Sequence, residues 1–154
     1  MTSIKRDALT IRPLTAADEV EWRRLWTSYL EFYETTLPEA IYETAWARLL
    51  KECDREFQGV VAELDGRLVG LAHYLFHRTL WSTKDTCYLM DLFADPLVRG
   101  QGVGGALIEA VRQRALLAGI PSLYWMTQEF NYTGRILYDK VAEKTPFIVY
   151  EINS

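Results

Sequence analysis

The stretch from Tyr88 to Leu117, YLMDLFADPLVRGQGVGGALIEAVRQRALL, constrains the fold of this chain more than any other. It reads as an apolar strand over Tyr88 to Ala94, a short loop, a glycine-rich turn and an amphipathic helix. The turn is Arg99-Gly100-Gln101-Gly102-Val103-Gly104-Gly105, with four glycines in six positions from Gly100 onward. Glycine takes positive φ without steric cost, so backbone N–H groups can converge on one point. A helix N-terminus also leaves its first N–H groups unpaired and carries partial positive charge. A strand, this turn and a helix in succession therefore make a phosphate cradle.

The remaining elements decide what surrounds that cradle. Leu9, Ile11 and Leu14, with Arg12-Pro13, predict a short first strand ended by proline. Thr15 and Asp18 fit a capping box with Asp in the acidic place. The helix that follows, to about Tyr33, carries Trp22, Trp26, Tyr29 and Tyr33 on one face, a pattern that suits core packing. The tyrosines at its end, beside Glu31 and Glu34, would also suit the wall of an amine pocket. A second helix is expected over Glu39 to Lys51, with Ile41, Ala45, Trp46, Leu49 and Leu50 inward. Gln58 to Leu64 and Arg67 to Phe76 read as strands joined by Asp65-Gly66, a strong hairpin signal.

His73 and His77 on the second of these strands share a face but stand about 13 Å apart, poor partners for one metal. Each reads as a packed or surface histidine, and no metal is expected. Gly119 and Pro121 end the helix after the glycine turn. Ser122 to Met126 then predicts a short buried strand, Thr133 to Val141 a helix, and Pro146 to Ile152 a last strand. This order implies an α/β chain, with a mixed sheet of about six to seven strands and helices on both faces.

A chain of 154 residues suits one domain, spanning 1–154. Its net charge of −4 argues against a nucleic-acid partner and permits a cationic substrate. Cys53 and Cys87 lack metal-ligand spacing and fit a reduced, cytoplasmic setting. The N-terminus lacks the apolar run of a signal peptide, and no segment reaches the length of a membrane span.

The turn Arg99-x-x-Gly102-x-Gly104, preceded by Asp91-Leu92-Phe93-Ala94-Asp95-Pro96, resembles motif A of the GNAT acetyltransferases. In that family the loop binds the pyrophosphate of acetyl-CoA through main-chain amides. The segment Asn131 to Val141 resembles motif B, with Asn131, Gly134, Leu137 and Tyr138 in the family's places. Tyr29 to Pro38 and Tyr138 to Phe147 look like the fungal histone/polyamine acetyltransferase branch and its bacterial relatives. The resemblance covers nearly the whole chain. It implies a GNAT fold, acetyl-CoA as donor, a primary-amine acceptor and a homodimer. It places the donor among Leu92, Phe93, Ala94, Arg99, Gly100, Gln101, Gly102, Val103, Gly104, Gly105, Asn131, Arg135 and Tyr138. It puts the acceptor beside Trp26, Tyr29, Tyr33 and Glu34, and makes Tyr138 the proton donor to the CoA thiolate.

Under the same resemblance, a backbone N–H at a bulge near Leu92 and Phe93 would polarise the thioester carbonyl. The base is less determined. Related diamine acetyltransferases carry Glu where this chain has Met90, and strand alternation points the neighbouring Asp91 to the opposite face. Glu129 and Glu34 stand as candidates acting through a water. The missing Glu counts against a polyamine and leaves amino acids, diamines and protein lysines open as acceptors, and an acyl-CoA-binding module without catalysis is the alternative reading. A dinucleotide oxidoreductase fits less well, because Asp95 to Arg99 separate strand from glycines and no acidic residue ends the next strand.

Overall fold

The structure, a computed structural model, describes residues 9–98 and 100–154. The chain opens with β1 (Thr10–Pro13), a 3₁₀ turn (Ala16–Asp18), α1 (Glu19–Phe32) and α2 (Glu39–Leu50). Then come β2 (Gln58–Leu64), β3 (Arg67–His77), β4 (Thr86–Ala94), α3 (Val103–Leu117), β5 (Leu123–Tyr124) and α4 (Tyr132–Val141). The strands form one sheet in the order β1-β2-β3-β4-β5, antiparallel from β1 to β4 and parallel between β4 and β5. Asp65 and Gly66 turn the β2–β3 hairpin with φ of 52° and 75°, the doubly left-handed geometry that the Asp-Gly pair favours.

Alternation along the strands feeds two cores. Val60, Ala62, Ala72, Tyr74, Cys87 and Leu89 meet α3 through Val103, Leu107, Ile108 and Val111. On the other face Val61, Leu71 and Phe93 meet Trp22, Leu25, Trp26 and Leu30 of α1 and Trp46 of α2. Trp22 and Leu25 are fully buried, and burying a leucine-sized side chain contributes about 1.5–3 kcal/mol. The first turn is tied down by Asp18, whose carboxylate accepts the Thr15 N–H at 2.8 Å and an N–H from each terminal guanidinium nitrogen of Arg12 at 2.8 and 2.9 Å.

Three expectations are corrected. The sheet has five strands among the described residues rather than six or seven, and 146–152 forms no strand. A strand needs a ladder partner, and the short β5 offers almost none. The Phe147, Ile148, Val149, Tyr150 and Ile152 side chains are exposed instead. Likewise the expected strand over 122–126 shrinks to Leu123–Tyr124, because β5 pairs with β4 only at Cys87↔Leu123 and Tyr88↔Tyr124. In α2, Ile41 and Leu50 are exposed, while Tyr42 turns inward and meets the Trp22 ring edge-on. No helix among the described residues is long and apolar enough to cross a membrane.

Candidate active site

The glycine turn leads into α3 at Gly102, its N-terminal flanking residue, with φ of 77°; Gly100 has φ of 80°. Unlike α4, α3 has no side-chain cap, and its first turn holds no acidic residue. Nothing lies within 4 Å of where a Cβ on Gly100 or Gly102 would stand, so the loop is open on that side. The first-turn amides and the positive end of the helix dipole are thus free for an anion such as a pyrophosphate. Gln101 is exposed, and Val103 is buried and anchors the helix start. Arg99 lies outside the described residues.

Gly104 does a different job. An ideal Cβ on Gly104 would stand 3.2 Å from one Leu137 methyl, tighter than ordinary contact, so this glycine lets α4 approach the start of α3; one on Gly105 would make ordinary contact, 3.6 Å from the other methyl. Asn131 caps α4: its Oδ1 accepts the Gly134 N–H at 3.3 Å and its Nδ2 donates to Thr127 Oγ1 at 3.0 Å. A Cβ on Gly134 would fall 2.5 Å from Asn131 Nδ2, which explains the small residue in that place. Arg135 donates to the Glu129 carbonyl at 2.7 Å, fixing the loop before α4. Tyr138 follows Leu137, packs edge-on against Trp125 at 5.5 Å, and lies within electrostatic reach of Tyr33. Burial, and secondarily Tyr33, raise its phenol above the ordinary range, so at neutral pH it holds its proton.

The centre of the sheet departs from the expected alternation. His73 pairs with Asp91, but Tyr74 pairs with Leu89, so Met90 is an extra residue in β4. This bulge lies just before the Leu92–Phe93 position expected from sequence. Cys87 and Leu89 face α3 before it, and Leu92 and Ala94 face α3 after it. Asp91 therefore shares the α1 face with Phe93, whereas unbroken alternation from Leu89 would have turned it to the opposite face, toward α3. Sequence alternation missed this because an inserted residue reverses the parity of everything after it.

A polar chain runs through that face. The Trp22 Nε1–H donates to His73 Nε2 at 2.9 Å, His73 Nδ1 lies 3.0 Å from Asp91 Oδ2, and the Tyr29 hydroxyl donates to Asp91 Oδ1 at 2.9 Å. His73 is buried, as expected of a packed histidine. Trp26 is buried between Trp22 and Tyr29, stacked at 5.7 and 5.2 Å, so it backs Tyr29. Tyr29 meets Tyr33 edge-on at 5.1 Å and Phe93 at 6.0 Å. Burial, then Asp91, hold the Tyr29 phenol far above its ordinary range, so it stays a donor. Glu34, with φ of 53°, and Glu129 are exposed. Along β4 the ladder to β5 stops at Tyr88, so beyond it that edge of the strand has no strand partner among the described residues.

A model of the acetyltransferase (GNAT) family matches residues 21–142. The chain belongs to the GNAT acetyltransferases. It is 34% identical over 148 residues to the D-amino-acid N-acetyltransferase HPA3 of Saccharomyces cerevisiae, covering 96% of this chain and 92% of that one. It is 30% identical over 92 residues to the L-2,4-diaminobutyric acid acetyltransferase of Nocardia farcinica, a match to 58% of this chain and 46% of that one. In fold it is similar to the aminoglycoside N-acetyltransferase AAC(6')-Iy solved with CoA, with a TM-score of 0.85, 18% identity and 99% of each chain covered. As a GNAT N-acetyltransferase this protein uses acetyl-CoA, and its uncapped α3 N-terminus is chemically suited to the donor's phosphates.

Proposed function

We propose that this GNAT enzyme acetylates a small primary amine of the amino-acid or diamine class by direct attack on acetyl-CoA. The observation that carries the reading is the meeting of three elements at one place. The end of α1 brings Tyr29 and Tyr33, the β4 bulge brings Asp91, and α4 brings Tyr138 within reach of Tyr33. Relatives named for a D-amino acid and for L-2,4-diaminobutyric acid support a free amino acid or diamine over a protein lysine.

The donor's phosphates sit at Gly100 to Gly105, with Asn131 and Arg135 fixing the loop that starts α4. Leu92, Phe93 and Ala94 line the β4 edge that β5 leaves unpaired, and their backbone groups orient the acetyl arm. The acceptor enters between Tyr29, Tyr33 and Glu34, with Trp26 behind them. Its neutral nitrogen attacks the thioester carbonyl; the C–N bond forms and the C–S bond breaks. Tyr138 gives the thiolate a proton and recovers one from the acylated nitrogen, so the residue ends the cycle unchanged. Positioning supplies a large part of the acceleration, because it replaces a bimolecular encounter with an oriented one.

A covalent acyl-cysteine route is disfavoured by burial, which pushes the Cys87 thiol up to about 12. The other cysteine, Cys53, is exposed on the segment after α2, and the two unpaired thiols suit a cytoplasmic enzyme. The exposed apolar run Phe147 to Ile152 supports a homodimer in which that segment is covered by the second copy. Initial rates with both substrates varied test the route. Intersecting double-reciprocal lines are expected, and parallel lines would replace direct attack with a covalent intermediate.

A further inference from the structure

Asp91 is a nearly buried carboxylate with no Lys or Arg countercharge among the described residues. Its side chain is 12% exposed, and the basic side chain that meets it is His73, whose Nδ1 lies 3.0 Å from Asp91 Oδ2. The tautomer of that histidine follows from its neighbour. An indole nitrogen only donates, so the Trp22 N–H requires a lone pair on His73 Nε2. The ring proton then sits on Nδ1 and is given to Asp91 Oδ2. With Tyr29 donating to the other oxygen, the cluster Trp22–His73–Asp91–Tyr29 carries one net negative charge.

Buried charges in proteins are paired with opposite charge or bind a ligand that supplies it. A carboxylate offers about four lone-pair sites, and the two hydrogen bonds here leave room for another donor. Among the described residues the surrounding groups are phenols rather than cations: Tyr29 donates to Asp91, and Tyr33 and Tyr88 lie within its electrostatic reach. Aromatic faces around a carboxylate suit an ammonium group.

We infer that Asp91 is the group that receives the acceptor's ammonium and removes its proton, with His73, held in one tautomer by Trp22, as its positioning residue. This rests on the proposed acetyl transfer to an amine and fills the place of the base that Met90 leaves open. The step balances simply. The ammonium N–H bond breaks, its electron pair stays on nitrogen as the nucleophile, and the proton passes to an Asp91 oxygen and on to water before the next turnover. A structural part for Asp91, pinning α1 to β4 through Tyr29, is the competing reading.

The test compares two acceptors on wild type, Asp91→Asn and His73→Asn. One is an amino acid or diamine, charged at the assay pH; the other is a weakly basic primary amine, already neutral there. Asp91→Asn keeps the shape and removes the charge. For the charged amine kcat/KM should fall about 10- to 100-fold, the scale of a charge-assisted hydrogen bond, while KM for acetyl-CoA stays within about twofold. For the neutral amine the loss should shrink to a few-fold. His73→Asn, whose amide can still donate to Asp91, should retain most activity, whereas His73→Leu should behave like Asp91→Asn. Equal losses for both amines, or no loss for either, overturn the inference while leaving acetyl transfer intact. Failure of wild type to acetylate any amine overturns both readings.

Discussion

Gly70 on β3 lies directly under Val103, the first residue of α3: a Cβ on Gly70 would stand 2.8 Å from Val103 Cγ1. It would also stand 3.0 Å from Leu107 Cδ1 and 3.0 Å from the Phe93 carbonyl oxygen. The close approach sets the height of the α3 N-terminus above the sheet, and so the height of the donor loop. Val103 is β-branched and stiff, and a backbone carbonyl cannot swing aside. Gly70→Ala should therefore cost about 1–3 kcal/mol, the usual scale of overpacking. It should also weaken acetyl-CoA binding by lifting the helix start. Thermal unfolding with and without acetyl-CoA checks both, and an unchanged melting temperature would show that the contact relaxes freely.

The donor loop itself is tested at Gly102. Its φ of 77° disfavours any L side chain, and a glutamate there adds negative charge where phosphates bind. Gly102→Glu should lower acetyl-CoA affinity at least about tenfold, on the scale of one charge-assisted contact, while the far-UV spectrum stays native. NADH should not stabilise wild type, whereas acetyl-CoA should raise its melting temperature by linkage to the folded state. Equal acetyl-CoA affinity in wild type and variant would remove the loop from the donor site. Gly104 is less clean for this purpose, because a side chain there also strikes Leu137.

Much of this was legible in the sequence, and the exceptions share a cause. The Asp65-Gly66 hairpin, the Gly119 helix stop and the glycine turn are local signals, set by φ preferences that one or two residues determine. The site's centre is not local. The bulge at Met90 depends on how β4 pairs with β3, and nothing in TCYLMDLFA announces which residue will be left out of the ladder. That one slip hid Asp91, and with it the role of a histidine that read as packing. The overestimated strand count arose similarly: FIVYE has strand composition, but composition does not supply a neighbouring strand.

The Arg12–Asp18 pair gives a pH-dependent stability. The Arg12 guanidinium holds the Asp18 carboxyl below its ordinary value, against the opposing effect of burial. A carboxyl depressed in the folded state stabilises fully above its unfolded value, about 3.9. That contribution is lost as pH falls through the lower folded value. Asp18→Asn should then cost about 1–3 kcal/mol at pH 7, with the gap to wild type narrowing below about pH 4. Denaturant melts across that range are the check, and a gap independent of pH would assign the effect to shape.

Tyr138→Phe removes the proposed proton donor and keeps the ring against Trp125. General-acid contributions run at about 10² to 10⁴ in rate, and kcat should fall within that range. Affinity for acetyl-CoA should change little. Single-turnover rates must be measured beside kcat so that product release does not mask the chemical step. An unchanged single-turnover rate would take Tyr138 out of the mechanism.

The central claim is that this GNAT enzyme moves acetyl from acetyl-CoA to the nitrogen of a small primary amine. The most direct measurement incubates the purified protein with acetyl-CoA and a panel of D- and L-amino acids, diamines, a lysine-containing peptide and matched alcohols. Free CoA thiol is quantified, and products are identified by mass spectrometry. The account predicts an N-acetylated amino acid or diamine formed in equal amount to the thiol released, with the peptide and alcohols unreactive. Thiol release without an acetylated amine, or acetylation confined to the alcohols or the peptide, would contradict it.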